Sequence, residues 1–444
     1  MTDSPSLTTP LDPKEQPILD RLLATRDKLS LLKQDRSTYI KSQDVLDLYE
    51  QVIEQVHLLN IIREEHDKPL EQNRVDNVLD DCFQLISLFF LTIGRNNEAP
   101  AVYSMTSTIR RLLDHLKEAA FYSPKDLESA GQALDSMQVT LKRGEESHSP
   151  HLLKLLRNRL DTCRQLLSAL QLSLADLSLE LTPTYERLVS ILRSISAANT
   201  RQKFPSGEVQ GFQDQLREIQ ATMVDGKFLA ENSTTPAGQN VATELLNRCL
   251  KWSDIVLERQ GNIDERFKPT YEKLCSIRNH LEKLSITQAW SLRETDLYDY
   301  QRQLDRIDES RVNGNFEDSL GNKADLHAQR TLLYLIRRSY AYIYTLIISS
   351  EPVSEALLPV FNQLQTLRRC LLEVKRSGGV SSSRELYPYS MKLHSIDDMR
   401  IDGKFMVGAD IPEGQGSVNS LLAECFDLNY ELRVEAEEND SPES

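Results

Sequence analysis

The chain holds 444 residues, roughly enough for two to four domains and for a sizeable core without disulfide bonds. Its 52 Lys and Arg residues against 67 Asp and Glu residues give a net charge of −15, which argues against a general nucleic-acid binder, since that role needs a basic surface. With 16 glycines and 17 prolines, the composition also excludes collagen-like and low-complexity chains.

Neither the start of the chain nor its apolar segments predict export or a membrane span. The first residues lack the basic and apolar regions of a signal peptide. Residues 82–93 are shorter than the roughly 20 residues of a span, and residues 332–348 carry Arg337 and Arg338 near their middle. Six cysteines without a CxxC pair indicate free thiols in a reducing compartment. We therefore expect a soluble, cytoplasmic protein, and nothing in the sequence bars it from the nucleus.

Helical periodicity runs along nearly the whole chain. Apolar residues recur at spacings of three and four, as in Leu188, Ile191, Leu192 and Ile195, while sustained alternation of β-branched residues is missing. The sequence therefore predicts an all-α protein.

The sequence also resembles itself at an interval of about 85 residues. Residues 182–191, 268–277 and 358–367 share a proline, an aromatic residue two positions later and the same apolar spacing, and weaker copies begin at Pro17 and Pro100. These five prolines lie 83, 83, 86 and 90 residues apart. We therefore predict five tandem quasi-repeats, each a helix triplet, stacked as a helical array or an elongated bundle.

Each repeat is predicted to hold helices A, B and C, with helix A beginning near the proline. Gly226, Gly314 and Gly403 follow an Asp or Asn and precede a Phe two positions on, and we predict that each is the left-handed C-cap of a helix B. Helix C is predicted at 75–93, 150–177, 240–258, 326–348 and 418–435. The triplets occupy residues 13–98, 99–181, 182–267, 268–357 and 358–435, and the polar ends, residues 1–12 and 436–444, are expected to be disordered.

Four cysteines stand at one equivalent place in their repeats, 63 to 66 residues after the opening proline: Cys82, Cys163, Cys249 and Cys425. The fourth repeat has Ile336 there. A position that accepts Cys or Ile is a small apolar core slot, so we predict that these cysteines are structural. Cys275 and Cys370, beside apolar positions of A helices, receive the same interpretation.

No motif predicts a catalytic residue, a metal site or a cofactor. His148 and His151 flank Pro150, which marks the start of a helix, and no cysteine or acidic cluster accompanies them. Glycine-rich phosphate loops, nucleophile elbows and kinase signatures are absent. Enzymatic activity is left open, a non-enzymatic protein being favoured, and the binding residues are unknown.

Arginine pairs occur at residues 110–111, 337–338 and 368–369. Adjacent residues on a helix point in different directions, so each pair is predicted to hold one exposed and one partly packed arginine. Such arginines also suit a groove for phosphopeptides or inositol phosphates. The tyrosines at 334, 340, 342 and 344 are predicted to pack in the core with their hydroxyls at its edge.

The proline–aromatic openings, the Asp/Asn-Gly-x-Phe closures and the acidic C-terminus together resemble a fungal family of uncharacterised all-helical proteins, known as a domain of unknown function. Its members are recorded as cytoplasmic and nuclear, so the resemblance implies that location. It covers most of the chain, rests on general pattern, and implies no activity, cofactor or functional residue.

Repeated helical surface without a catalytic motif favours a non-enzymatic scaffold or adaptor that binds other proteins and does not bind nucleic acid directly. The alternative is an enzyme, or a binder of a small phosphate-containing anion, with a site in a cleft between helical units. The second hypothesis needs a deep pocket lined by convergent polar groups, whereas the first needs a shallow groove.

Overall fold

The computed structural model describes residues 12–64, 72–229, 235–288 and 292–440. Over these residues it has fifteen α-helices and a single two-stranded sheet, which confirms the predicted all-α class. In chain order the helices are α1 (Gln16–Gln34), α2 (Ser42–Glu64), α3 (Arg74–Thr92), α4 (Val102–Ala119), α5 (Pro124–Arg143), α6 (Pro150–Ser173), α7 (Thr182–Ala198), α8 (Ser206–Ala221), α9 (Gln239–Arg259), α10 (Lys268–Lys283), α11 (Leu297–Glu309), α12 (Leu326–Ile348), α13 (Leu358–Arg376), α14 (Tyr387–Asp397) and α15 (Gln415–Asp440).

The chain divides into two compact units. Unit 1 draws on Met1–Ser104, Ile286–Tyr298 and Leu346–Ser444, and unit 2 draws on Met105–Ser285 and Asp299–Thr345. Helices of the predicted first and fifth triplets therefore lie mainly in unit 1, and helices of the second, third and fourth lie mainly in unit 2. The division into five repeats stays a prediction.

Each unit buries the apolar stripes of its helices. In unit 2, α7, α8 and α9 enclose a cluster that includes Leu188, Leu216 and Trp252. In unit 1, α13, α14 and α15 do the same around Leu364 and Leu422. Residues 82–93, which lie in α3 and at its C-terminal end, are all buried in unit 1, and none of the described helices is long and apolar enough to cross a membrane.

The four equivalent cysteines are buried, as predicted, and each lies within hydrogen-bonding distance of a backbone carbonyl of the preceding helix A. Burial raises the pKa of Cys82 and Cys249 to about 12 and that of Cys163 and Cys425 to about 11, which disfavours the reactive thiolate. The contacts are Cys82 Sγ to Leu22 O at 3.6 Å, Cys163 Sγ to Thr106 O at 3.7 Å, Cys249 Sγ to Leu188 O at 3.6 Å and Cys425 Sγ to Leu364 O at 3.5 Å.

The prediction that Gly226, Gly314 and Gly403 cap helices is wrong, because each of them lies in a tight β-hairpin. The preceding Asp or Asn has φ near 49° and the glycine has φ of 74° to 77°, so both central residues of the turn are left-handed, as a type I′ turn requires. The last hairpin pairs β1 (Arg400–Ile401) with β2 (Lys404–Phe405). Asp-Gly and Asn-Gly tolerate two successive positive φ values, so the chain reverses after helix B has already ended.

A glutamine on the next helix holds each hairpin in place. The Phe228 N–H donates to Gln239 Oε1 at 2.9 Å, and Gln239 Nε2 donates to the Phe228 carbonyl at 2.9 Å. Gln329 bonds the backbone of Phe316 in the same two-way manner, and Gln415 does so with Phe405. All three phenylalanines are buried. We call this arrangement the glutamine clamp.

Helix α15 corrects the predicted C-terminal boundary. It continues to Asp440, whereas the sequence predicted a disordered tail from Ala436. Ala436 is buried one turn after Leu432, so the apolar face of the helix extends past Glu435. Residues 441–444 and the predicted N-terminal tail up to residue 11 lie outside the described residues, while Asp12 accepts a hydrogen bond from the Lys14 N–H at 2.8 Å.

Candidate functional site

Helix α12 presents two faces within unit 2. Its apolar face, which includes Leu332, Leu335 and Ile336, is buried. The other face carries basic and aromatic side chains at helical spacing, and these line three cavities of the unit. The residues of this second face are Arg330, Tyr334, Arg337, Arg338, Ala341 and Tyr344.

One of these spaces is a cavity of about 370 Å³ between α4, α5, α7 and α12, which we call the arginine cavity. Four cationic side chains and one carboxylate line it, so the lining is positive although the chain has a net charge of −15. Its charged lining residues are Lys125, Asp126, Arg193, Arg337 and Arg338. Its apolar lining residues are Ile109, Leu112, Leu113, Leu116, Ala130 and Ala341.

Arg337 is the unusual member of this lining. The residue is partly exposed, but its Nη1 atom is buried, and it forms no hydrogen bond or ion pair with any residue that the structure describes. Its guanidinium carbon lies 4.2 Å from the ring centroid of Phe121, a cation–π contact. Burial, with repulsion from Arg193, lowers the pKa of Arg337 to about 10. Asp126 attracts this guanidinium electrostatically but forms no hydrogen bond or ion pair with it, so Arg337 is a charged group without a direct anionic partner among the described residues.

The one carboxylate of the lining already has partners. Asp126 lies in the first turn of α5, where it accepts a hydrogen bond from the Ser123 N–H at 2.7 Å, and it pairs with Arg193. Burial alone would raise the pKa of Asp126, but the hydrogen bonds from Arg193 and Ser123 lower it. Asp126 therefore stays ionised and is committed to Arg193 and to the cap of α5.

A second cavity, of about 40 Å³, adjoins the first through Arg337 and Tyr334. Arg248 and Arg330 also line it, and its lining contains no carboxylate. Arg248 donates to the Ala119 carbonyl at 2.6 Å, at the C-terminal end of α4, where a cation complements the helix dipole. Arg330 stacks over Trp252, with burial lowering its pKa.

The third cavity is an open polar groove of about 1110 Å³ along α10. Arg338 reaches it and donates to the Tyr342 hydroxyl at 2.9 Å, while that hydroxyl donates to Glu282 at 2.8 Å. Arg278 donates to the Thr200 carbonyl at 3.2 Å. The cations of this groove thus have more partners than Arg337 has.

Known proteins are similar to this chain over almost its whole length. A family model described as a protein of unknown function (DUF2408) matches residues 174–294 and 350–443. The chain is 40% identical over 443 residues to CUB1 family protein C30C2.08 of Schizosaccharomyces pombe, and the match covers 98% of this chain and 96% of that protein. The chain belongs to the CUB1 family.

A second relative of this CUB1-family protein is Cu(2+) suppressing and bleomycin sensitive protein 1 of Saccharomyces cerevisiae. It is 38% identical over 502 aligned positions, which cover 96% of this chain and 91% of the relative. No solved structure matches the chain. The resemblance to an uncharacterised fungal family is confirmed.

The predicted behaviour of the arginine pairs is confirmed in this CUB1-family chain. In each pair one residue is exposed and its neighbour is partly buried: the exposed members are Arg110, Arg338 and Arg369. Among the tyrosines, Tyr340 packs in the core and its hydroxyl donates to Asp305 at 2.6 Å, whereas the other three are half-buried. The sequence did not indicate which arginine would meet a cavity, since α4, α5 and α7 carry no shared motif that points to it.

One buried polar cluster of unit 2 was missed by sequence reasoning. His115 Nε2 lies 3.0 Å from Asp308 Oδ2, and Arg111 and Arg311 flank the same carboxylate. Burial would raise the pKa of Asp308, but the His115 contact and the two arginines hold it at about 2. His115 is 1% exposed, and this enclosure favours a structural role for the cluster.

Within the described ranges, no three or more His, Cys, Asp or Glu side chains are grouped so as to hold a metal ion. His148 and His151 flank Pro150, which is the first residue of α6, as the sequence predicted.

Proposed function

We propose that this CUB1-family protein binds a small phosphate-bearing molecule in the arginine cavity. The observation that carries the proposal is Arg337, a guanidinium on the cavity wall that forms no hydrogen bond or ion pair with any described carboxylate. This is the second of the two functions that the sequence left open, and no catalytic step is part of it.

The energetics favour an anionic occupant. Keeping a charge in a poorly solvated place without a partner costs several kcal/mol, and an anion that enters the cavity offsets that cost. A guanidinium binds phosphate through two parallel N–H bonds, and Arg338 adds further positive charge to the same cavity, whereas Lys125 is paired with Glu186 at 3.2 Å. The rest of the chain is strongly acidic and repels anions, so the positive potential of the cavity lining directs them to this site.

The scaffold or adaptor role stays a prediction, and so does the location in cytoplasm and nucleus. Ligand binding in unit 2 is compatible with both, since it occupies a cavity and leaves the outer helical surfaces free for partners. Mass spectrometry of proteins that co-purify with the chain is the measurement that addresses the adaptor role.

The test of the ligand-binding proposal is a melting experiment with inorganic phosphate and pyrophosphate. Binding to the folded state raises the melting temperature, so wild type should be stabilised by these anions, and less so at high salt. Arg337→Gln should lose that stabilisation. The matched control is Arg110→Gln, the same change at an exposed residue outside the cavity lining. If wild type gains nothing, or both variants respond as wild type does, the proposal is wrong.

A further inference from the structure

The arginine cavity has two chemically different ends. Arg337 contacts Phe121, just before the start of α5, and Lys125, Asp126 and Arg193 lie together at that start. One turn farther along α5 the lining changes to Ser129 and Ala130, and Tyr344 of α12 lines the same end. The cationic end and the neutral end are therefore separated along both helices.

The distance between the ends follows from helix geometry. Arg337 and Tyr344 are seven residues apart on α12, which corresponds to a rise of about 10 Å. At the neutral end Ala130 and Ala341 have small side chains, which leaves space, and Leu112 of α4 is half-buried on the cavity wall. An inorganic phosphate ion bound beside Arg337 would fill only the cationic end.

We infer that the ligand of the arginine cavity is a compact organic phosphate ester, with its phosphate beside Arg337 and Arg338 and an apolar group between Leu112, Ala130 and Ala341. This inference rests on the proposed function and specifies its ligand class. The apolar group contributes affinity because it leaves water for an apolar wall, while the phosphate is selected by the buried guanidinium. A volume of about 370 Å³ suits one ring or a short chain beside the phosphate.

The test uses isothermal titration calorimetry with three phosphate probes that share a headgroup: inorganic phosphate, methyl phosphate and phenyl phosphate. We expect phenyl phosphate to bind at least about tenfold more tightly than methyl phosphate, since its ring is buried at the neutral end. Ala341→Phe fills that end, so it should weaken phenyl phosphate much more than methyl phosphate and remove the tenfold gain. The control is Ala133→Phe on α5, which lies outside the lining.

The outcomes separate the two proposals. If methyl and phenyl phosphate bind equally well, or if Ala341→Phe weakens both equally, the ester inference is overturned while anion binding stands. If none of the three probes binds wild type, the proposed function itself fails. Binding to vesicles that contain phosphatidic acid is measured as well. If the protein binds these vesicles in preference to phenyl phosphate, the inference that the ligand is a compact ester is overturned. Should Ala341→Phe fail to fold, Leu112→Ala, which widens the neutral end, should weaken phenyl phosphate alone.

Discussion

Two arginines, one buried in unit 1 and one partly buried in unit 2, have different surroundings. In unit 1 the Arg293 side chain is 7% exposed and donates to both carboxylate oxygens of Glu355, at 2.6 and 2.9 Å, and to the Asp35 carbonyl at 2.7 Å. Glu355 in turn accepts the Ile40 N–H at 2.5 Å. In unit 2 Arg337 has a cation–π contact and no hydrogen bond within the described residues.

This difference distinguishes an arginine that stabilises the fold, Arg293, from one that is available to bind a ligand, Arg337. A buried ion pair whose donors are satisfied holds neighbouring segments in register, and it breaks at high cost when one partner is removed. A buried cation without a partner does not hold neighbouring segments together. It destabilises the folded state unless an anion binds beside it. The sequence does not distinguish the two cases, since each residue is simply an arginine on or beside a helix.

The largest expected effect is at Arg293. Arg293→Met should lower the free energy of unfolding by about 3–5 kcal/mol, because it leaves the Glu355 carboxylate buried without its cation. Urea unfolding followed by circular dichroism measures this change. A loss below about 1 kcal/mol would mean that the pair is solvated and that the comparison with Arg337 is unsound.

The next largest effect is the pH-dependent loss of stability expected at Asp308. It tests whether unit 2 tolerates unpaired buried charges other than Arg337. The pKa of Asp308 is about 2 in the folded chain against an ordinary 3.8, so its stabilisation is present above pH 4 and is lost as the pH falls towards 2. Asp308→Asn should therefore be less stable than wild type by about 2 kcal/mol at pH 6. The gap should shrink as the pH falls from 5 to 3 in urea melts at each pH. A constant gap would show that Asp308 is not held by its cations.

A smaller effect is expected at the glutamine clamp, which occurs in both units. Gln239→Ala in unit 2 and Gln415→Ala in unit 1 each remove two hydrogen bonds to a buried backbone, so each should cost about 1–2 kcal/mol. Thermal denaturation of the two variants checks this. Similar losses of stability in the two variants would show that the difference between Arg293 and Arg337 does not come from a general difference in stability between the units. A much larger loss in one unit would mean that the two arginines cannot be compared directly.

The smallest effect is at Arg337 itself in the absence of ligand. Arg337→Met should leave the free energy of unfolding within about 1 kcal/mol of wild type, or raise it, because the substitution removes a partly buried charge that has no hydrogen-bonded anion and replaces it with an apolar side chain that fills much of the same space. Urea unfolding in phosphate-free buffer is the measurement. A loss as large as that at Arg293 would mean that Arg337 has a structural partner, and the ligand proposal would lose its basis.

The sequence alone determined the features that depend on local spacing. Apolar residues at three and four positions specify helices whatever their neighbours, and helix C at 326–348 was predicted with the bounds that the structure shows. The equivalent cysteines were assigned to the core because one slot accepts Cys or Ile. The Asp/Asn-Gly steps marked where the chain turns, although reading them as helix caps was wrong, since a cap and a type I′ turn share a left-handed glycine.

Only the tertiary structure decided which polar groups find partners. Gln415 is 10 residues beyond Phe405, and Glu355 is 62 residues beyond Arg293, and no periodicity links either pair. Arg293 and Arg337 differ because Arg293 meets a carboxylate, whereas Arg337 meets a cavity wall to which α4, α5 and α7 contribute from far earlier in the chain. Helix formation follows from interactions within a few residues, whereas the compensation of a buried charge depends on what distant segments bring within about 4 Å of it.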